Sequence, residues 1–295
     1  MMSKHNGESR AYRIFSLVVL IILALLFLFP LYWILTGALK TPAAINSPKP
    51  QWWPQEFTLR NFQVLFSKRS APLFQIGALE GPTVPGAIRW LLNTVFMAVM
   101  AMILTCLTAA MAGYALAKKR FTGRIILFSL IVAAMALPKQ VILIPLIREM
   151  STLGLYDNIW AVIFPTVGWP FGVFLMKQFS EGIPGEMLEA ARIDGAGELM
   201  TFTNIVYPMI KPGVGALAIF TFINSWNDYF LQLIMLTSSS NLTISLGIAT
   251  MQAENSTDFG LIMAGATLAA VPIIIVFLLF QKYFTKGITM GAVKG

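Results

Sequence analysis

With 57% hydrophobic and only 12% charged residues among 295, this chain carries more apolar side chain than one soluble core can hide, since soluble domains run about 45–50% apolar and about 25% charged. Mean hydropathy is +0.74, so a bilayer is the economical solvent. The net charge of +8 does not indicate nucleic acid, because Lys and Arg flank apolar runs and do not gather in one patch with aromatics. The only cysteine, Cys106, lies in an apolar run, and the only histidine, His5, lies in the polar N-terminal tail. That excludes an internal disulfide, a thiolate metal cluster and any histidine-based site within the spans.

Six segments are long enough to cross about 30 Å of hydrocarbon. The first, Ile14–Thr36, holds no ionisable group; it exceeds a signal h-region and lacks a small-residue cleavage site, so it reads as an uncleaved helix. The second, Leu91–Ala117, is rich in Ala, Gly and Thr, which suits close helix packing. The third, Ile125–Ile147, is interrupted by Pro138, Lys139 and Gln140, and the fourth, Asn158–Met176, by Pro165 and Pro170. The fifth, Gly213–Leu236, carries Asn224, Asn227 and Asp228; the sixth, Leu261–Phe280, carries Pro272. These prolines read as packing-tolerated kinks, with hinges as the other reading. The expected fold is an all-α polytopic membrane protein with six transmembrane helices. Its parts are a tail (1–13), the first helix (14–36), an outer loop (37–90), a five-helix core (91–284) with a long connection (177–212), and a second tail (285–295).

Lys and Arg placement gives an orientation. Basic groups precede the first helix (Lys4, Arg10, Arg13), fill the second-to-third turn (Lys118, Lys119, Arg120, Arg124), occupy the fourth-to-fifth connection (Lys177, Arg192, Lys211) and follow the sixth helix (Lys282, Lys286, Lys294). Six spans put all four groups on one side, the cytoplasm, with both termini there. The fifth-to-sixth loop, Thr237–Gly260, has Glu254 and Asp258 but no Lys or Arg. The first loop is basic, but long loops translocate largely regardless of charge. Its Trp52 and Trp53 read as an interfacial belt, with stacking on a sugar face as the other reading.

The connection from Lys177 to Pro212, roughly 36 residues, far exceeds the usual helix–helix turn of about 2–8. Pro184 can start a helix there, Glu186 and Glu189 suit the positive end of its dipole, and Gly195 is a natural stop. Leu188, Ala191 and Ile193 make one side apolar, while Glu189, Arg192 and Asp194 keep the other polar. There are at least as many acids as bases and no Trp, so a docking helix for a cytoplasmic protein fits better than a helix lying in headgroups.

The order Glu189-Ala190-Ala191, Gly195, Ile205 and Pro208 resembles the EAA loop of ABC-importer permeases, with Tyr207 where the family usually has Leu. Asp194-Gly195-Ala196 with Phe202 is similar to the carbohydrate branch of that MetI-like superfamily. The closing segment from Phe284 to Gly295 and the run Asn224-Ser-Trp226-Asn227-Asp228-Tyr229-Phe230 resemble the maltose-type second permease subunit. The resemblance runs from Leu91 to Gly295. It implies that Glu189, Ala190, Ala191, Asp194, Gly195, Ala196, Phe202 and Pro208 couple to an ATPase. It also implies a second permease, two ATPase subunits and an external solute-binding protein that meets Thr237–Gly260. No Gly-rich phosphate loop is present in this sequence, so ATP and Mg belong to the partner ATPase. The implied role is a permease for a mono- or oligosaccharide, or for a glycerol-phosphate-type polyol, in a bacterial or archaeal cytoplasmic membrane. An ion-coupled secondary transporter would show inverted repeats and midplane ionisable pairs, and a membrane enzyme would show paired carboxylates; neither pattern is found.

Asn224, Asn227 and Asp228 are candidate pore-lining residues, with helix-packing partner as an equal reading, because a carboxylate in hydrocarbon costs about 2.5–3.5 kcal/mol on insertion scales. Lys139 reads as a gap-filling or cavity-facing residue; no carboxylate partner can be assigned to it from sequence.

Overall fold

A computed structural model describes residues 10–76, 79–254 and 258–292. In chain order it contains α1 (Arg10–Ala38), α2 (Pro42–Ile45), α3 (Arg60–Ser67) and the short strands β1 (Ser70–Pro72), β2 (Gln75–Ile76), β3 (Leu79–Glu80) and β4 (Thr83–Pro85). There follow α4 (Gly86–Lys118), α5 (Arg124–Ala134), α6 (Lys139–Thr152), α7 (Trp160–Val167), α8 (Pro170–Glu181) and α9 (Gly185–Ile193). The chain continues through α10 (Glu198–Thr201), a π-helical turn (Phe202–Val206), α11 (Tyr207–Asn227), α12 (Tyr229–Met235), α13 (Ile244–Glu254) and α14 (Phe259–Ala292). His5 and Val293 to Gly295 lie outside the described residues.

Two compact units are present: residues 1–68 with 250–268, and residues 69–249 with 269–295. In the first, α1 is a 29-residue helix, about 43 Å long at 1.5 Å per residue, whose apolar side chains from Ile14 to Phe29 stay exposed. Such a surface requires lipid or a partner to cover it. The Trp52 ring packs on Phe29 and Trp33 at 6.0 and 5.9 Å, and Tyr32 Oη donates to the Trp52 carbonyl at 2.5 Å. The outer loop is thereby tied to the end of α1. Buried Asn61 donates to the carbonyls of Ala38 and Lys40, both at 2.9 Å, satisfying backbone groups left open where α1 ends.

The second unit is organised by α4. Trp90, Thr94, Met97, Ala101, Thr105, Ala109 and Gly113 recur every three or four residues and are buried, as one face of a 3.6-residue helix requires. Small residues let α8 and α11 approach that face closely. A Cβ on Gly113 would stand 2.6 Å from the Lys177 nitrogen and the Met176 carbonyl carbon. Backbone thus touches backbone at the α4–α8 crossing.

Segment boundaries differ from the sequence reading: the second span begins earlier, at Gly86. The third segment is interrupted at Pro138 as expected, and sharply: α5 and α6 meet at 104°. Pro138 lacks an N–H and pushes Leu137 out of the helical region, so the chain turns there. Among the described residues, five helices are therefore long and apolar enough to span a membrane, or six if the bent pair counts as one. The fourth span runs from Trp160 to Glu181; α7 continues through Pro165, and a short break at Gly168–Trp169 precedes Pro170, which opens α8. The fifth begins earlier, at Glu198, and ends at Asn227. Its π turn is closed by the Tyr207 N–H bonding to the Phe202 carbonyl, a wide turn that sits just before Pro208.

Gly113→Leu is expected to lower thermal stability of the detergent-solubilised protein by about 1–3 kcal/mol or more, because backbone atoms cannot yield as a side chain can. Met111→Leu, on the exposed side of α4, should leave the melting midpoint unchanged. Equal midpoints for Gly113→Leu and the parent would contradict the packing described.

Candidate functional site

Helix α9 stands out because a short helix is held by one face and bare on the other. Its start follows Pro184, with Glu186 in the first turn and Arg192 in the last, charges that suit the helix dipole. Its end is a Schellman motif: Ala196 N–H bonds to the Ala191 carbonyl at 2.9 Å and Gly195 N–H to the Arg192 carbonyl at 3.2 Å. Gly195 has φ +78, a left-handed conformation that glycine adopts without strain. Ala191 is buried, and Leu188 packs on a core that includes Tyr114, Met176, Ile183, Phe202 and Val206.

Ile193 departs from expectation. At 100° per residue it lies about 140° from Leu188 and beside Glu189 and Ala190, and it is 86% exposed. The outer face of α9 is therefore Glu186, Glu189, Ala190 and Ile193, all exposed. Asp194 and Gly195 are exposed and Ala196 is half-buried. Phe202, expected in the loop, lies in the π turn and is buried, its ring 5.8 Å from Tyr114. Pro208 lies on the exposed side of α11. Glu198 pairs with Lys119, and Lys118 donates to the Ile183 carbonyl at 2.6 Å, joining the α4–α5 turn to both flanks of α9. Burial acts to lower the Lys119 pKa, but Glu198 and Tyr114 outweigh it and hold the ammonium above its ordinary value.

A second feature is a cavity of about 530 Å³ framed by the α5–α6 bend, the α7–α8 break and the α11–α12 junction. Asn224 and Asp228 line it, with Lys139, Gln140, Trp169 and Phe171. Lys139 Nζ lies 3.2 Å from Asp228 Oδ2, so the lysine without an assignable partner has one, 89 positions away. Asp228 also caps α12, its side chain accepting from Leu231 N–H at 3.4 Å. Asn227 is not in the cavity wall; its amide donates to the Ile223 carbonyl at 2.9 Å. Trp169 and Phe171 are additions, and their one signal in sequence was their place beside the Pro165–Pro170 break.

A third feature is the segment after α12. The Asp157 carboxylate accepts from Thr237 N–H at 2.8 Å and Ser238 N–H at 2.9 Å. Asn93 donates to the carbonyls of Ser240 and Leu242, and Trp90 Nε1 to that of Ser239 at 2.8 Å. The loop is bound by its backbone to α4, leaving Thr237, Ser238 and Ser239 exposed.

Residues 106–290 match the family described as the inner membrane component of binding-protein-dependent transport systems. The chain belongs to that family. This permease is 32% identical over 296 residues to the arabinooligosaccharides transport system permease protein AraQ of Bacillus subtilis, covering all of both chains. It is 31% identical over 270 residues to the sulfoquinovosyl glycerol transport system permease protein SmoH of Agrobacterium fabrum, covering 91% of this chain and 89% of the other. A crystal structure of a bacterial ABC transporter that imports the acidic polysaccharide alginate shares the fold. Its TM-score is 0.73 at 23% identity, over 95% of this permease and 100% of that chain. Membership makes the chain a multi-pass membrane transport subunit.

Burial acts to raise the Asp157 pKa, but hydrogen bonds from Ser238 and Thr237 outweigh it and hold the carboxyl below 3.8. A depressed folded pKa stabilises above the unfolded value and is lost as pH falls through the folded one. Protease cleavage of the Thr237–Asn241 loop should therefore stay constant above about pH 4 and rise below it. Asp157→Asn should show the faster cleavage already at pH 7, with little further change on acidification. A parent protein equally resistant at pH 3 would remove the carboxylate's role.

Proposed function

We propose that this permease is the transmembrane subunit of an ATP-driven importer for a mono- or oligosaccharide, working with a second permease, two ATPase subunits and an extracytoplasmic solute-binding protein. The observation that carries the coupling role is the outer face of α9. Glu186, Glu189, Ala190 and Ile193 form a small, mixed polar and apolar surface on a helix whose other side is fixed to the core. Leu199 and Met200, 75% and 56% exposed just beyond it, widen the apolar area available to a partner. A bare Ile flanked by Ala and acids suits a protein cleft better than anionic headgroups, which would repel the acids.

ATP and Mg are bound by the partner ATPase in this reading. Closure of the ATPases pushes on α9, and Leu188, Ala191 and Phe202 pass the displacement to α4, α8 and α11. Basic groups at the ends of α1, α4 and α14 support a cytoplasmic position for both termini and for α9. The stapled loop from Thr237 to Leu242, on the other side, offers a prearranged surface to the binding protein. Carbohydrate as cargo is supported by relatives such as AraQ, whose coverage is complete.

Copurification of the chain from its native membrane should bring down an ATPase that a sugar-loaded binding protein stimulates. Uptake of solute by this chain alone, driven by an ion gradient, would sink the reading. Within the complex, Glu189→Lys reverses a charge on the docking face, and Gly195→Ile forces a β-branched residue into a conformation costing about 1–3 kcal/mol. Both variants should insert and assemble yet reduce uptake to background. Normal uptake by both would show that α9 does not couple.

A further inference from the structure

We propose that the cavity among α5–α6, α7–α8 and α11–α12 is a contact site for the transported saccharide on this subunit, and that it selects neutral sugar units over acidic ones. The inference rests on the carbohydrate reading above and names the cargo more narrowly.

The volume, about 530 Å³, lies inside the range of about 300–1,000 Å³ usual for small-molecule sites. Its walls combine two kinds of group that a sugar needs. Trp169 and Phe171 line it with ring centroids 4.9 Å apart, supplying apolar ring surface for the C–H face of a pyranose or furanose. Around them stand groups for hydroxyls. No hydrogen bond within the described residues engages the side-chain amides of Asn224 or Gln140, each of which can donate and accept. Ser225, 1% exposed and in the same wall, has an Oγ with no partner among the described residues. Both amides are exposed and open to the cavity, where a sugar hydroxyl can donate to one and accept from the other.

Charge makes the selection. Lys139 and Asp228 are the two charged side chains in the lining, and their 3.2 Å contact cancels them. Adjacent hydroxyls suit such a pair, one donating to the carboxylate while the other accepts from the ammonium. A uronate or phosphate finds no uncompensated cation here, and Asp228 repels it. Desolvating that extra charge without a partner is costly. The bland alternative, a lipid-filled gap, does not account for two unengaged amides and an ion pair contributed by α6 and the end of α11 to the same cavity.

The test is uptake into cells carrying the whole importer, with labelled neutral pentose and hexose oligosaccharides and labelled oligouronates. The parent is expected to import a neutral sugar best. With that sugar, Trp169→Ala and Asn224→Ala should each reduce uptake about tenfold, Trp169→Phe should restore most of it, and stimulation of the ATPase by the loaded binding protein should persist. That stimulation shows that the variants assemble. Asp228→Asn, which leaves Lys139 unopposed, should raise the oligouronate-to-neutral uptake ratio at least tenfold. A parent that prefers oligouronates overturns the selection. Neutral-sugar uptake within twofold of the parent for both alanine variants overturns the site and leaves the carbohydrate reading standing. Import of neither class of sugar overturns both.

Discussion

Contact between the backbones of α4 and α8 at Gly113 is the constraint on which the second unit depends. With a Cβ at that position 2.6 Å from the α8 backbone, any larger residue would push α8 outward. The same helix face, lined by Ala101, Thr105 and Ala109, receives α11 and α8 further along. Gly172 repeats the device on the other partner, since its Cβ would stand 3.3 Å from that of Ala109. In lipid no hydrophobic effect drives helices together, so this fit, with its dispersion contacts, holds the bundle. A 33-residue α4 is about 50 Å long, and both of its ends are used. Trp90 and Asn93 hold the segment after α12 at one end, and Tyr114 meets Phe202 at the other.

From this crossing follows a physical route between the two candidate sites. Trp169 and Pro170, in the cavity wall, open α8, and α9 begins four residues after α8 ends. On the return, the π turn holds Phe202 in the core, and α11 runs from there to Asn224 in the same wall. Two rigid helices thus share the cavity at one end and frame α9 at the other. A displacement of α9 cannot be absorbed locally, because Leu188, Ile183 and Phe202 are packed into one cluster and close-packed interiors transmit strain.

Legibility in the sequence tracked the range of the interaction. Helix α9 was readable because its determinants are local: Pro184 to start, acids in the first turn, Gly195 to stop. The apolar spans were readable because hydrocarbon demands length and composition alone. Ile193 was misplaced because it was assigned to a side by hydrophobicity instead of angle, and a docking face breaks the rule that apolar residues turn inward. The end of the fifth helix was misplaced because Leu231, Ile234 and Met235 continue the apolar run past Asp228, where the backbone restarts as α12. The Lys139–Asp228 pair was invisible for a different reason. Its members are brought together by the 104° bend at Pro138, and no pattern along the chain encodes that angle.

That bend also explains why an ion pair is tolerable in so apolar a setting. An interrupted helix leaves carbonyls at its break unpaired along the axis, here partly recovered by short bonds from Ala136 and Leu137 to Ala133 and Ala134. Irregular backbone at membrane depth persists only where protein covers it or it lines a polar cavity. The α5–α6 bend, the link at Gly168–Trp169 and the α11–α12 junction place three such interruptions around one volume. Each alone would expose backbone polar groups to lipid at a cost of several kcal/mol. Gathered together, they line one cavity, and Lys139 and Asp228 pair in its wall at 3.2 Å. The breaks and the charges therefore require each other: straight helices would leave the pair in hydrocarbon, and an apolar wall would leave the breaks unsolvated.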